Sequence, residues 1–391
     1  MTRRAALAAA LCILAAALGP VAGARAALGP YVALGDSYTA APLVPNQVGR
    51  PVGCARSDQN YPSLVAAAMG PSAFRDVSCS SATTEHMTAP QAVTLGVNAP
   101  QFDALRPEAA LVTIGIGGND VGLVGAAVKC VQLGLFAPTG TTCRSSFAKP
   151  GGGDRLSDQI AATAPKIAQT LQGIHARSPQ ARVLIVGYPA VAPRNGRGCY
   201  PLVPLSDDDI TYLDEMLRST NSMLAGQAAA NAAEYVDTYD ESVGHDVCTL
   251  PGTRWFEGVV PTAPAFPIHP NALGEASMAR SVLRVLGAPR PSAPVLSSFK
   301  RSRRTIAAGR LTRLSYRLSA AASVTFALQR SRGRGRYSAV LRTITADGRA
   351  GANTLTLSAR FLGRRAGLYR VSAAPAGGAG QAVHLRIRRK R

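Results

Sequence analysis

The chain has 391 residues, enough for two or three domains that each bury a hydrophobic core. Because 47% of the residues are hydrophobic and 17% charged, the composition excludes a chain that is disordered throughout. No internal apolar run reaches the roughly 18–20 residues of a membrane-spanning helix, which excludes a polytopic membrane protein. The net charge of +21 comes from 43 Lys and Arg against 22 Asp and Glu. From Pro291 onward there are 22 basic residues and only one acidic residue. The preceding part is therefore neutral, and the charge step predicts a domain boundary rather than a specific nucleic-acid partner.

The first residues have the pattern of a secretory signal peptide. Two arginines are followed by an apolar run from Ala5 to Leu18, a Gly-Pro break and small-residue cleavage motifs up to Ala26. We therefore expect residues 1–26 to be a signal peptide and the mature protein to be extracellular, in solution or associated with the cell surface. A retained anchor is the alternative, and the Gly-Pro break disfavours it.

Strand and helix patterns alternate from residue 31 to residue 286. Short apolar segments at 31–34, 110–114 and 182–186 predict buried strands, each ending at a glycine, and 74–77 and 234–236 are weaker candidates. Helical patterns lie at 61–69, 156–176, 207–233 and 271–286. This alternation predicts an α/β domain with a parallel sheet covered on both faces, and a functional site at the carboxyl ends of its strands.

Seven cysteines are present, and one of them, Cys12, lies in the predicted signal peptide. The other six are Cys54, Cys79, Cys130, Cys143, Cys199 and Cys248. Because the count is even and the expected compartment oxidising, three disulfides are predicted. Six cysteines allow fifteen pairings, and we expect the sequential one (54–79, 130–143, 199–248), which closes short local loops.

The basic region begins with a Pro-rich linker, predicted at 289–296. From 297 to 391, six short alternating segments separated by turn residues predict a small β-sandwich. Twenty of its 22 basic residues are Arg, which binds phosphate and carboxylate groups bidentately. We expect an anionic envelope polymer as its partner, with a merely solubilising surface as the alternative.

Three polar segments follow predicted strands or precede a predicted helix. Ser37 follows the first strand in Gly-Asp-Ser-Tyr, where its hydroxyl is exposed and its own N–H can donate to an oxyanion. Asn119 follows the strand at 110–114 in Gly-Gly-Asn-Asp and can donate through its amide. His269 lies in a Pro-bracketed loop ahead of a helix, where a rigid imidazole suits a general base. Each segment alone could instead be a turn or a helix cap.

Taken in order, these segments resemble the SGNH (GDSL) hydrolase family, specifically its secreted actinobacterial esterase and lipase branch. The resemblance rests on Gly-Asp-Ser-Tyr, Cys-Ser-x-Ala-Thr-Thr, Gly-Gly-Asn-Asp and His-Pro-Asn-x-x-Gly, together with the six cysteines. It implies a three-layer flavodoxin-like α/β domain over residues 27–288, with Ser37 as nucleophile and His269 as base. The implied oxyanion donors are the backbone N–H groups of Ser37 and Ser81 and the side chain of Asn119.

The sequence departs from the family pattern at two positions. Ser81 stands where a glycine usually follows Cys-Ser, so its N–H can serve only if Ser81 adopts the required φ. Phe266 stands where many members carry an aspartate, three residues before the histidine. We therefore expect the main-chain carbonyl of Phe266 to orient His269 in a Ser–His dyad, with Asp240 or Asp246 as the alternative third member.

The resemblance predicts a secreted enzyme that hydrolyses lipids or small acyl esters without cofactor or metal. The apolar residues after Gly-Gly-Asn-Asp could line an acyl site or belong to the core; they are Leu123, Val124, Leu133, Leu135 and Phe136. The alternatives are a carbohydrate O-deacetylase, which the same fold could house, and a non-catalytic envelope-binding protein. We expect a monomer without a transmembrane segment. The basic region is similar to the immunoglobulin-like or fibronectin-like accessory sandwiches of actinobacterial exoenzymes.

Overall fold

A computed structural model describes residues 29–136, 139–287, 294–333, 335–363, 365–375 and 380–389. The predicted signal peptide and most of the predicted linker lie outside these ranges. Within them, no helix combines the length and apolar character needed to cross a lipid bilayer.

A five-stranded parallel sheet organises the residues up to 287. Its strands are β1 (Tyr31–Gly35), β2 (Phe74–Asp76), β3 (Leu111–Gly115), β4 (Arg182–Val186) and β5 (Glu234–Val236). They lie in the order β2-β1-β3-β4-β5, so the five predicted strands and their parallel arrangement are confirmed. The chain runs outward from β1 to β2 and then returns to place β3 on the other side of β1. The crevice beyond the carboxyl ends of β1 and β3 is therefore the switch point at which α/β sheets bind ligands.

Helices cover both faces of this sheet. They are α1 (Ser37–Ala40), α2 (Tyr61–Met69), α3 (Gly118–Val121), α4 (Leu123–Gly134), α5 (Thr142–Phe147), α6 (Arg155–Arg177), α7 (Asp207–Ala230), α8 (Tyr239–Ser242) and α9 (Ala272–Val285). Ile167 and Leu171 of α6 and Leu224 of α7 pack on one face, while Val65 of α2 and Val282 of α9 pack on the other. The predicted three-layer α/β arrangement is thus present.

The loops between these elements contain shorter regular structure. Strands Gln47–Val48 and Arg56–Ser57 form one antiparallel pair, strands Gln91–Val93 and Gly96–Asn98 form another, and 3₁₀ turns span Val52–Cys54, Thr84–Met87 and Gln101–Ala104. The three disulfides are Cys54–Cys79, Cys130–Cys143 and Cys199–Cys248, as predicted. The first holds the loop that follows β2 at the switch point, where Ser80 N–H donates to the Cys54 carbonyl at 3.1 Å.

The residues from 294 onward form two β-sheets around a second core. The strands are β6 (Leu296–Arg301), β7 (Thr305–Ala307), β8 (Thr312–Leu318), β9 (Ala322–Gly333), β10 (Arg336–Tyr337), β11 (Arg342–Gly348), β12 (Gly351–Leu357), β13 (Gly367–Pro375) and β14 (Gln381–Arg388), with helix α10 (Ala359–Leu362) after β12. One sheet is β6-β8-β12, and the other is β7-β14-β13-β9-β10, with β11 also paired to β9. Leu314 and Leu357 of the first sheet meet Phe326 and Val371 of the second in the shared core.

Candidate active site

The end of β1 delivers Ser37 to the switch point. Ser37 is the first residue of α1, so its backbone N–H has no partner inside the helix. Asp36 precedes it as the N-cap and accepts the Tyr38 N–H at 2.9 Å, which fixes this turn. Ser37 is only 7% exposed, and its Oγ lies 2.8 Å from Nε2 of His269. The structure thus brings together two residues that are 232 positions apart in the chain.

The carbonyl that orients His269 belongs to Pro267. Nδ1 of His269 lies 2.8 Å from the Pro267 carbonyl oxygen, so the prediction that Phe266 supplies this acceptor is wrong by one residue. The Phe266 carbonyl already accepts the backbone N–H of His269 at 3.2 Å. Ile268, between Pro267 and His269, has a φ of 60°, and this left-handed conformation belongs to the tight turn that the His269 N–H closes onto the Phe266 carbonyl. Phe266 instead packs its ring edge to face on the imidazole of His269, with 5.3 Å between the ring centroids.

Neither alternative acid contacts the imidazole. Asp240 pairs with Arg194 at 3.2 Å, and Asp246 accepts the backbone N–H of Cys248 at 2.9 Å. Within the described residues, His269 therefore has a serine hydroxyl on one nitrogen and a main-chain carbonyl on the other. This arrangement is a dyad rather than a triad.

A buried network of hydrogen bonds, centred on Glu257, holds the loop of His269. The Asn271 amide donates to Glu257 Oε1 at 2.8 Å, and the Glu257 N–H donates to the His269 carbonyl at 3.1 Å. The Tyr38 hydroxyl donates to the Ile268 carbonyl at 2.6 Å. Asn271 is also the N-cap of α9 and accepts two N–H groups of its first turn. The Asn in His-Pro-Asn signals the cap, but no local pattern marks Glu257.

Burial sets the protonation state of the imidazole. Desolvation lowers the pKa of His269 below its usual 6.5, and the hydrogen bond to the Pro267 carbonyl opposes this shift. A neutral imidazole is therefore the dominant form at pH 7. If its remaining proton is on Nδ1, where the carbonyl can accept it, Nε2 is left with a lone pair facing the Ser37 hydroxyl.

Besides Ser37 itself, the candidate oxyanion donors are Asn119, which follows β3, and Ser81, which follows β2. Nδ2 of Asn119, in the first turn of α3, donates to the Ala82 carbonyl at 2.9 Å, which leaves its second N–H for another acceptor. Ser81 has a φ of 66°, so it adopts the left-handed conformation that a glycine would adopt at this position. Its backbone N–H has no acceptor within the described residues. The oxyanion role of these groups stays a prediction.

An apolar cavity opens next to the hydroxyl of Ser37 and the side chain of Asn119. Its apolar walls include Leu123, Val124, Val131, Leu205, Leu213 and Leu217. Two of the apolar residues noted in the sequence, at 123 and 124, therefore line the cavity, whereas Leu135 and Phe136 are exposed at the surface. Within the described ranges, no cluster of three or more His, Cys, Asp or Glu is arranged to hold a metal ion.

Comparisons with known proteins agree with this geometry. The family model for GDSL-like lipases and acylhydrolases matches residues 33–276. Lipase 2 of Streptomyces coelicolor is 38% identical over 261 residues, which cover 66% of this chain and 85% of that protein. The crystal structure of phospholipase A1 from Streptomyces albidoflavus has a TM-score of 0.55 and 27% identity, covering 67% of this chain and 99% of that chain.

The crystal structure of an extracellular lipase from Streptomyces rimosus is also similar, with a TM-score of 0.54 and 26% identity, covering 66% of this chain and 98% of that chain. These matches fall on the α/β part of the chain, where the dyad and the cavity lie. The protein therefore belongs to the GDSL-like lipase/acylhydrolase family, in its actinobacterial esterase and lipase branch, and is a carboxylic-ester hydrolase.

Proposed function

We propose that the protein is a secreted esterase or lipase that acts through an acyl-enzyme on Ser37, with His269 as the general base. The 2.8 Å separation between Ser37 Oγ and His269 Nε2 carries this proposal. A buried serine and a neutral imidazole in hydrogen-bond contact are the pair that nucleophilic ester cleavage requires.

The first half of the reaction forms the acyl-enzyme. Ser37 Oγ attacks the ester carbonyl carbon while its proton passes to Nε2 of His269, and the carbonyl electron pair moves to the oxygen. The N–H groups of Ser37 and Ser81 and the Asn119 amide donate to the resulting oxyanion. When the tetrahedral intermediate collapses, the alcohol leaves with the proton from Nε2, and the acyl group stays on Oγ.

The second half returns the enzyme to its starting state. Water attacks the acyl carbon while His269 takes its proton, and collapse releases the carboxylic acid as that proton returns to Oγ of Ser37. The Pro267 carbonyl holds the imidazole in position throughout. Because a neutral carbonyl stabilises imidazolium less than a carboxylate does, the dyad relies more heavily on its oxyanion donors than a triad would.

The apolar cavity supports an ester with an apolar acyl chain. Most of its lining residues are aliphatic, and the two buried acids among them are bound by other side chains, Asp214 by Tyr239 at 2.5 Å and Arg218 at 2.8 Å, and Asp36 by Tyr188 at 2.5 Å. An acetyl group would leave most of these walls without contacts, so the cavity favours lipid or medium-chain esters over O-acetylated glycans. The relatives named as lipases and as a phospholipase A1 support the same substrate class.

A panel of p-nitrophenyl esters from acetyl to palmitoyl, tested beside acetylated glycans, examines the proposal. We expect the wild type to prefer esters longer than acetyl and to release little acetate from the glycans. Ser37→Ala should lose activity on the whole panel, with an unchanged melting temperature showing that it is folded. Wild-type rates in Ser37→Ala, or activity confined to acetylated glycans, would contradict the proposal.

The signal-peptide pattern and the three disulfides support secretion, since disulfides persist in oxidising compartments. For the basic region we propose a separate immunoglobulin-like domain over 297–391, joined by the linker at 289–296. Its strand connections support this proposal. The segment β7 lies parallel to the last strand, and β8 and β12 lie in the sheet opposite β9, β13 and β14, as B and E face C, F and G in immunoglobulin folds.

We further propose that this domain binds an anionic polymer or surface of the envelope. On the outer face of the three-stranded sheet, the exposed side chains include Lys300, Arg313 and Arg317. All eight ion pairs of the described residues lie within residues 120–284, so the described cations of this domain have no acidic partner. Unpaired exposed cations create the positive field that draws a polyanion.

A further inference from the structure

The strand β4 ends at the same edge of the sheet as β1 and β3, but the dyad and the oxyanion donors use nothing from it. Gly187 and Tyr188 follow this strand directly. Tyr188 is 4% exposed and its side chain reaches the crevice, where it lines the cavity beside Ser37 and Asn119. A buried phenol at this point needs partners for its hydroxyl.

The hydroxyl of Tyr188 joins the turn of the nucleophile to the turn of the oxyanion donor. It donates to Oδ2 of Asp36 at 2.5 Å and accepts the backbone N–H of Gly118 at 2.8 Å. Asp36 directly precedes Ser37, and Gly118 directly precedes Asn119. One oxygen atom therefore links the residues next to two of the three candidate oxyanion donors.

The position of Tyr188 is itself fixed by the surrounding core. The side-chain amide of Asn221, on α7, accepts the Tyr188 N–H at 2.8 Å and donates to the Tyr188 carbonyl at 2.7 Å. The ring of Tyr188 packs edge to face on the ring of Tyr38, with 5.3 Å between the ring centroids. A Cβ on Gly118 would lie 2.9 Å from the phenol oxygen, so only glycine allows this close approach.

We propose that Tyr188 is a positioning residue which, through Asp36 and the Gly118 amide, sets the backbone N–H of Ser37 and the amide of Asn119 at the spacing that one oxyanion requires. The inference rests on the proposed function of Ser37 and His269. Oxyanion donors must lie about 2.7–3.1 Å from the oxygen that carries the developing charge, with a tolerance of only about 0.5 Å, so a rigid link between their two turns should contribute to turnover rather than to substrate binding.

Asp36 must be ionised for this arrangement of hydrogen bonds. Its Oδ1 accepts the Tyr38 N–H and its Oδ2 accepts the Tyr188 hydroxyl, so a proton on either oxygen opposes a donor. Burial raises the pKa of Asp36 to about 7, the negative charge of Asp120 adds to this rise, and the two hydrogen bonds oppose it. Lowering the pH through 7 therefore protonates Asp36 and breaks the link.

The test compares Tyr188→Phe with the wild type on a soluble p-nitrophenyl ester. We expect kcat to fall about tenfold, less than the loss for a removed donor, with KM nearly unchanged. The acid limb of kcat/KM that protonation of Asp36 sets near pH 7 in the wild type should disappear, because no link is left for that protonation to break, and only the limb from His269, below pH 6.5, should remain. In Asp36→Asn, which also breaks the link, kcat should fall while the remaining limb, from His269, lies below pH 6.5.

Tyr212→Phe is the matched control. The hydroxyl of Tyr212 donates to Asp154 at 2.7 Å, a phenol–carboxylate pair whose two residues do not line the cavity, so kcat and the acid limb should stay at wild-type values. Melting temperatures of all variants separate a local effect from unfolding.

Two results would overturn the inference: a Tyr188→Phe enzyme with wild-type kcat and acid limb, or equal losses in Tyr212→Phe. An inactive Ser37→Ala beside a fully active Tyr188→Phe would remove this inference alone. A fully active Ser37→Ala would remove the proposed function as well.

Discussion

The α/β domain and the basic domain use charged side chains in opposite ways. In the α/β domain, basic and acidic residues balance, and several acids are buried among donors that fix them, as Glu257 is by Asn271 and Asp36 is by Tyr188. In the basic domain, the described cations make no ion pairs, and charged residues such as Arg313 and Arg317 alternate with buried ones along a strand. Buried charges thus fix the positions of the groups that bind them, whereas exposed charges create a field that reaches beyond the protein.

If the two regions act independently, replacing a buried residue of the active site should lower kcat and leave binding to anionic surfaces unchanged. His269→Ala should lower kcat by on the order of 10⁴–10⁶, because the nucleophile loses its base. Binding to anionic vesicles should stay at the wild-type level. His245→Ala is the control, since this histidine stacks on Trp255 at 3.7 Å and makes no contact with Ser37. Steady-state kinetics and vesicle sedimentation check both quantities, and equal losses in the two variants would contradict the assignment.

Removing one oxyanion donor should have the next largest effect. Asn119→Ala is expected to lower kcat by about 10²–10³ with little change in KM, because the donor acts mainly on the transition state. Asn195→Ala, at an exposed loop residue, should leave kcat unchanged. A loss that appears in KM alone would mean that Asn119 binds substrate instead of the oxyanion.

The basic domain should show the converse behaviour. Replacing Arg313 and Arg317 together with Gln should weaken binding to phosphatidylglycerol vesicles by about 30-fold, at about 1 kcal/mol per cation, without changing kcat on a soluble ester. The same double replacement at Arg144 and Arg194, which pair with acids, should have little effect. Vesicle binding of the wild type should also weaken with added salt. Binding that is insensitive to salt would contradict an electrostatic role.

The smallest effect is expected at Ser81. Because its φ of 66° is strained for any residue with a Cβ, Ser81→Gly should raise the free energy of unfolding by up to about 1 kcal/mol. Turnover should change less than about twofold, since the backbone N–H is kept. Urea denaturation measures the free energy of unfolding, and steady-state kinetics measure turnover. The control is Ser80→Gly, which should lower the free energy of unfolding. A tenfold loss of kcat in Ser81→Gly would instead implicate the hydroxyl.

The sequence predicts those parts of the molecule that local patterns encode. Continuous apolar runs ending at glycine identify β1, β3 and β4, and the parallel arrangement then implies that Ser37 and Asn119 reach the same edge. Alternation of buried and exposed residues identifies most strands of the basic domain. The strands β6 and β7 escape notice because β6 (Leu-Ser-Ser-Phe-Lys-Arg) has only two apolar residues, which do not alternate, and β7 (Thr-Ile-Ala) has only three residues.

Contacts that depend on backbone detail or on distant residues are not predictable in this way. The choice between the Phe266 and Pro267 carbonyls depends on the left-handed φ of Ile268, and nothing in Phe-Pro-Ile-His specifies that value. The contact between Tyr188 and Asp36 joins residues 152 positions apart. The glycine before Tyr188 marks the correct edge of the sheet, but the partners of the phenol emerge only from the folded core.

The nucleophile can be identified most directly with a fluorophosphonate that reacts covalently with activated serines. The assignment of Ser37 as nucleophile predicts one adduct per molecule, located by mass spectrometry on the peptide that contains this residue. It also predicts that labelling is lost in Ser37→Ala and slowed by orders of magnitude in His269→Ala. Stoichiometric labelling at another residue, with Ser37 unmodified and the enzyme inactivated, would contradict it.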